Sequence, residues 1–153
     1  MKAEDLMIGD WVTITEPDDF HGYIAKVVII NGETGYITVH IPNMHLHDVF
    51  IEDLQPIPLT EEILHKNGFK NDVLAQKSII AEGASNFSVI LFSEDNRIVL
   101  NNIDEYLNSF NNWSVHIDTE DMRTMCTAEI TYVHELQHIL KLCKIDLELT
   151  CGK

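Results

Sequence analysis

The stretch "YIAKVVIINGETGYITVHI", residues 23–41, decides how the first third of the chain is read. Residues 23–30 are an apolar run rich in β-branched side chains, which fit the pleated surface of a strand. Asn31-Gly32-Glu33-Thr34-Gly35 supplies a turn, and residues 36–41 then alternate. Successive strand side chains point to opposite sides, so Tyr36, Thr38 and His40 share one face and Ile37, Val39 and Ile41 the other. Two such runs around a glycine-containing turn predict an antiparallel hairpin.

On either side of this hairpin the β signal continues. Trp11-Val12-Thr13-Ile14 alternates before a break at Glu16-Pro17-Asp18-Asp19, and Pro42-Asn43 closes the second hairpin strand. Residues 48–57 predict a last short strand or turn. Four or five short strands at this spacing predict a small β-barrel. The order of signals, Gly9-Asp10-x-Val12, then Gly22-Tyr23-Ile24, a hairpin and a closing "IEDLQPI" (51–57), resembles an SH3-like barrel of the KOW or Tudor kind. That resemblance covers about a third of the chain and implies a module that binds proteins, peptides or nucleic acid.

The period changes after residue 57. Thr60 is placed to cap a short helix, Glu61 and Glu62 suit its N-terminal dipole, and Asn67-Gly68 ends it. Residues 85–92 and 97–103 predict a hairpin, 113–117 and 125–130 two further strands, 131–144 a helix, and 145–151 a terminal strand. The expected fold class is α+β. An SH3-like β-barrel over residues 1–57 precedes a small antiparallel α+β domain over 58–153 with a C-terminal helix.

Composition narrows the function. There are 25 acids against 10 bases, a net charge of −15, and residues 1–58 hold only Lys2 and Lys26 against 10 acids. Such a surface repels phosphate backbones, so direct nucleic-acid binding is not expected; a basic protein partner is compatible. No apolar run approaches the roughly 20 residues of a membrane helix. The opening "MKAEDLMIGDWV" carries no apolar signal core, and Cys126, Cys143 and Cys151 have no C-x-x-C spacing. The expectation is a cytoplasmic protein with reduced thiols.

One motif carries chemistry. His134-Glu135-Leu136-Gln137-His138 spells H-E-x-x-H, which on a helix sets two imidazoles one turn apart to grip zinc, with the glutamate as general base. Metal ligands would be His134 and His138, and the catalytic residue Glu135. A third ligand is not spelled out: Lys141 and Lys144 occupy the later positions of the extended motif. Upstream, His116, Asp118, Glu120, Asp121 and Cys126 fall in no recognisable signature. At about 100° per residue, Tyr132, Val133, Leu136, Ile139, Leu140 and Cys143 form an apolar arc. His134 and His138 then fall on the opposite, polar side beside Lys141, and are expected to be solvated.

Across the chain, the Gly9-Asp10-x-Val12 opening, the central "PIPLTEEIL" (56–64) with Asn67-Gly68-Phe69, and Ile130-x-Tyr132-Val133-His134-Glu135-Leu136-Gln137 resemble a family of small uncharacterised bacterial proteins. Members are associated with phages or mobile elements. The resemblance spans nearly the full length and implies no activity.

Two weaker candidates complete the reading. If residues 45–47 are extended, His45 and His47 share a face and form a second possible metal pair. Trp11, Phe20, Tyr23 and Phe50 are candidates to line a peptide-binding groove, against the plainer role of barrel core. The preferred expectation is a non-enzymatic binding or accessory module for another protein, with no cofactor. The alternative is a zinc-dependent hydrolase. A further alternative is an acidic decoy of a nucleic-acid-binding protein.

Overall fold

A computed structural model describes residues 2–72, 88–93, 96–102, 112–119, 121 and 123–151. The chain divides into two compact units. The first comprises residues 1–57 with 132–138 and 151–153; the second comprises 58–131 with 139–150. The architecture is α+β, with two five-stranded antiparallel sheets and a C-terminal helix among the described residues.

In the first unit the alternating runs become strands β1 (Trp11–Ile14), β2 (Ile24–Ile30) and β3 (Tyr36–His40). The region expected to hold one last strand yields two, β4 (Leu46–Phe50) and β5 (Leu54–Pro56), separated by a 3₁₀ turn at Ile51–Asp53. The sheet order is β4-β3-β2-β1-β5. No ladder joins β4 to β5 among the described residues, so the sheet is open rather than a closed barrel.

Period-2 alternation sets which side chains are buried. Val12 and Ile14, Ala25 and Val27, Ile37 and Val39, Val49 and Leu54 turn inward with Leu6 and Ile41 to make one core. Each valine, leucine or isoleucine buried in this way contributes about 1.5–3 kcal/mol. A bulge interrupts the pattern: β2 pairs Val27 with Val39, but Ile29 with Thr38. The extra residue, Val28, flips the phase, so Ile29 faces outward although it lies two residues after the buried Val27.

In the second unit Thr60 caps helix α1 (Glu61–Lys66) by accepting from the Ile63 N–H at 3.3 Å. Gly68 at φ 88° takes the left-handed step that ends it. Strands β6 (Lys70–Asn71), β7 (Ser88–Ser93), β8 (Asn96–Asn102), β9 (Trp113–Thr119) and β10 (Thr124–Ile130) form the sheet β10-β9-β8-β7-β6. The expected hairpin is β7–β8, and its turn residues 94–95 lie outside the described residues, as does Glu120. The two-residue β6 had no signal in the sequence.

Trp113, fully buried, donates its indole N–H to the Leu59 carbonyl at 2.9 Å. Helix α2 spans Val133–Leu142. Lys144 at φ 57° turns the chain out of it, and residues 145–151 form no strand. That segment is held instead by Asn67, whose side-chain oxygen accepts from the Thr150 N–H at 2.7 Å and whose amide donates to the Thr150 carbonyl at 3.0 Å. Among the described residues no helix is long and apolar enough to cross a membrane.

Candidate functional site

The residues of the H-E-x-x-H motif stand in the first unit, at the start of α2. Their surroundings differ from the solvated face that the helical wheel predicts. His134 is 6% exposed, and the His138 side chain is largely covered. A wheel sees only the sign of each residue's hydropathy along one helix. It cannot show that a carboxylate from the N-terminal loop comes to meet the histidines.

That carboxylate is Asp10, itself 2% exposed. It sits where the chain turns into β1, and its Oδ2 accepts from the Met7 N–H at 2.7 Å. The same oxygen accepts from His138 Nε2 at 2.8 Å, so that nitrogen carries the hydrogen. The turn is pinned from both sides, because Gly9 donates to the Val27 carbonyl at 2.8 Å and Val27 to the Asp10 carbonyl at 2.9 Å. Gly9 adopts φ 99°, a conformation side-chain-bearing residues rarely take.

Gln137 fixes the same turn with both ends of its amide. Its oxygen accepts from the Trp11 N–H and its nitrogen donates to the Gly9 carbonyl, each at 3.1 Å. Glu135 folds back on its own helix: Oε2 accepts from the Tyr132 N–H at 2.9 Å, as a third-position glutamate does in a capping box. The Val133 N–H is taken by the Ile57 carbonyl at 2.9 Å, and Leu136 is fully buried. Four of the motif's five residues, Glu135, Leu136, Gln137 and His138, therefore have a structural task.

The exception is His134. Its ring stacks on Tyr132 (centroids 5.8 Å apart, planes at 14°) and meets His138 edge-on at 5.6 Å. Its Nδ1 is buried without a hydrogen-bond partner among the described residues. Burial pushes its pKa down; the carboxylates of Asp10, Glu135 and Asp5 oppose that shift, while His138 adds to it. His134, Glu135 and His138 line a cavity of about 570 Å³ together with Glu4, Asp5, Met7, Pro56 and Tyr132.

As a zinc centre this donor set is only partly suitable. The His138 nitrogen facing Asp10 is engaged, and one Glu135 oxygen caps the helix. No group of three His, Cys, Asp or Glu among the described residues is arranged to hold a metal.

The other sequence candidates disperse. His45 lies exposed in the turn before β4, whereas His47 faces inward from β4 and packs its ring on Phe20 at 4.5 Å. Phe20 packs against the core, and Tyr23 meets it edge-on at 6.4 Å. Trp11 carries the Lys26 ammonium 5.6 Å above its ring. Phe50 points outward and stacks on Tyr36 at 4.3 Å. Phe20 and Phe50 therefore belong to opposite faces of the sheet rather than to one groove.

The outward face holds what the sequence reading missed. Register places Tyr36 opposite Phe50, Thr38 opposite Asp48 and Ile29, and His40 opposite Leu46 and Lys26. Ile29, Tyr36, Leu46 and Phe50 are 40–54% exposed there. The alternation of residues 36–41 was a signal for Tyr36; the bulge that exposes Ile29 left no local trace. No known protein family, curated protein or solved structure matches the chain.

Proposed function

We propose that this chain is a non-enzymatic binding module for a protein partner, and that the outward face of β2, β3 and β4 receives it. The observation that carries the reading is the exposure of Ile29, Tyr36, Leu46 and Phe50 on adjacent strands, in register. Contiguous exposed apolar side chains of this size mark interaction surfaces, and aromatic residues anchor them. The strand order β4-β3-β2-β1-β5 is compatible with an SH3-like module, and such modules commonly act by binding. Net charge of −15 favours a partner whose rim is basic around apolar anchors.

The test is a chemical cross-linking capture comparing the native chain with an Ile29→Asp/Phe50→Asp double variant, followed by reconstitution with the purified partner. Leu142→Asp, which charges an exposed leucine in the second unit, is the control. A partner that binds the native and control chains and loses the double variant supports the reading. A partner that binds all three alike overturns the surface assignment. A chain that recovers no partner and remains a monodisperse monomer removes the function.

Zinc-dependent hydrolysis is the second reading, favoured by one observation: His134, Glu135 and His138 line a single cavity. Elemental analysis showing about one zinc per chain, lost in a His134→Ala variant, would raise it above the first. The decoy reading rests on charge alone, and a salt-insensitive titration against basic DNA-binding proteins would end it.

A further inference from the structure

The cavity at the start of α2 has a chemical character that neither its size nor the zinc motif describes. Of the eight described residues that line it, Glu4, Asp5 and Glu135 are carboxylates and none is lysine or arginine. A fourth carboxylate, Asp10, stands directly behind His138. Tyr132, Met7 and Pro56 add an aromatic ring and aliphatic surface. His134, more than nine-tenths buried, contributes to the wall, with its Nδ1 sealed from solvent and without a hydrogen-bond partner among the described residues. The positive end of the α2 dipole, which would oppose a cation, is offset because Glu135 and Ile57 take the Tyr132 and Val133 N–H groups.

We infer that this cavity is a binding site for a primary ammonium group on a short alkyl chain. A volume of about 570 Å³ is far more than a bare metal ion occupies and lies in the range of small-molecule sites. The carboxylates neutralise the ammonium, Tyr132 offers a ring face to the cation, and Met7 and Pro56 cover the methylenes. The rim already shows the chemistry: the Lys2 ammonium rests on Glu4 at 3.2 Å, in a pair so exposed that a ligand displaces it at little cost. The ammonium has two sources, a free diamine or a lysine side chain of another protein. This inference is independent of the sheet face proposed above.

The experiment titrates the full ¹⁵N-labelled chain with 1,5-diaminopentane, with pentane-1,5-diol as the uncharged control, and follows the amides of Glu4, Asp5, Tyr132 and His134. A Glu4→Gln/Asp5→Asn variant alters two exposed side chains and is checked for an unchanged melting temperature. The expected result is saturable diamine binding that weakens with added salt, is at least about tenfold weaker in the variant, and is absent for the diol. N-acetyl-lysine amide forms a parallel arm: tighter binding than the diamine identifies a protein side chain as the source, and weaker binding a free amine. Either ordering supports the site. No diamine binding, equal binding of the diol, or equal affinity in native and variant chains overturns it. So does Zn²⁺ that binds at these amides in a chain that ignores the diamine.

Discussion

The Asp10 carboxylate accepts a hydrogen bond from the His138 imidazole at 2.8 Å, joining residues 128 positions apart. The first ends the N-terminal loop and the second lies in the C-terminal helix. With Gln137 clamping Gly9 and Trp11, this contact ties the second half of the zinc-like motif to the N-terminal turn within the first unit.

Removing the acceptor tests that view. Asp10→Ala leaves the Met7 N–H and the His138 ring unpaired in a covered site, and is expected to cost about 2–4 kcal/mol. Asp10→Asn can set its amide oxygen where Oδ2 accepts both bonds, losing the charge but not the acceptor, and should cost about half as much. Denaturant midpoints of both variants, with His138→Gln to close a double-mutant cycle, check the assignment. A coupling energy near zero would show that the pair is not an energetic unit.

Gln137→Ala deletes two bonds to backbone and should destabilise by about 1–2 kcal/mol. Hydrogen exchange gives the sharper readout, because the Trp11 amide loses its glutamine acceptor. Faster exchange at Trp11, with amides of β8 and β9 unchanged, is the expected pattern.

Glu135 separates capping from catalysis. Glu135→Gln retains an oxygen for the Tyr132 N–H, so stability should fall by no more than about 0.5 kcal/mol, while Glu135→Ala should lose about 1 kcal/mol. Partner binding should survive both substitutions. A zinc hydrolase would instead lose its general base in either variant.

Stability should also report the burial of His134. Its folded-state pKa lies below the ordinary value of about 6.5, because desolvation outweighs the neighbouring carboxylates. Below that value the unfolded chain binds the extra proton first. This contribution to stability is therefore present above about pH 6.5 and is lost as pH falls through the folded value. His134→Gln should flatten the profile in that window. An unchanged slope between native and variant chains would show that His134 does not control it.

Cys143 should be a slow nucleophile. Burial raises its pKa, and the neighbouring Cys126 thiol raises it further by charge and by hydrogen bonding. Iodoacetamide labelling of Cys143 in a Cys126→Ala/Cys151→Ala background is expected to speed up relative to the native chain, since both the charge and the hydrogen bond of Cys126 are then absent. Mass spectrometry of timed aliquots follows the rate.

The sequence by itself determined the elements whose signal is local. Alternation in residues 11–14 and 36–41 produced β1 and β3, because a period of two buries one face whatever lies across it. Thr60 and Gly68 bounded α1 through bonds made within a few residues. Tertiary structure alone decided the rest. The bulge at Val28 turned Ile29 outward, Asn67 held Thr150 where a strand was expected, and Asp10 covered the histidines that a helical wheel sends to solvent. Each outcome depends on a partner distant in sequence, and hydropathy periodicity contains no information about which distant group arrives. The motif's letters specified a helix with two histidines one turn apart; a buried carboxylate from the far end of the chain decided what they face.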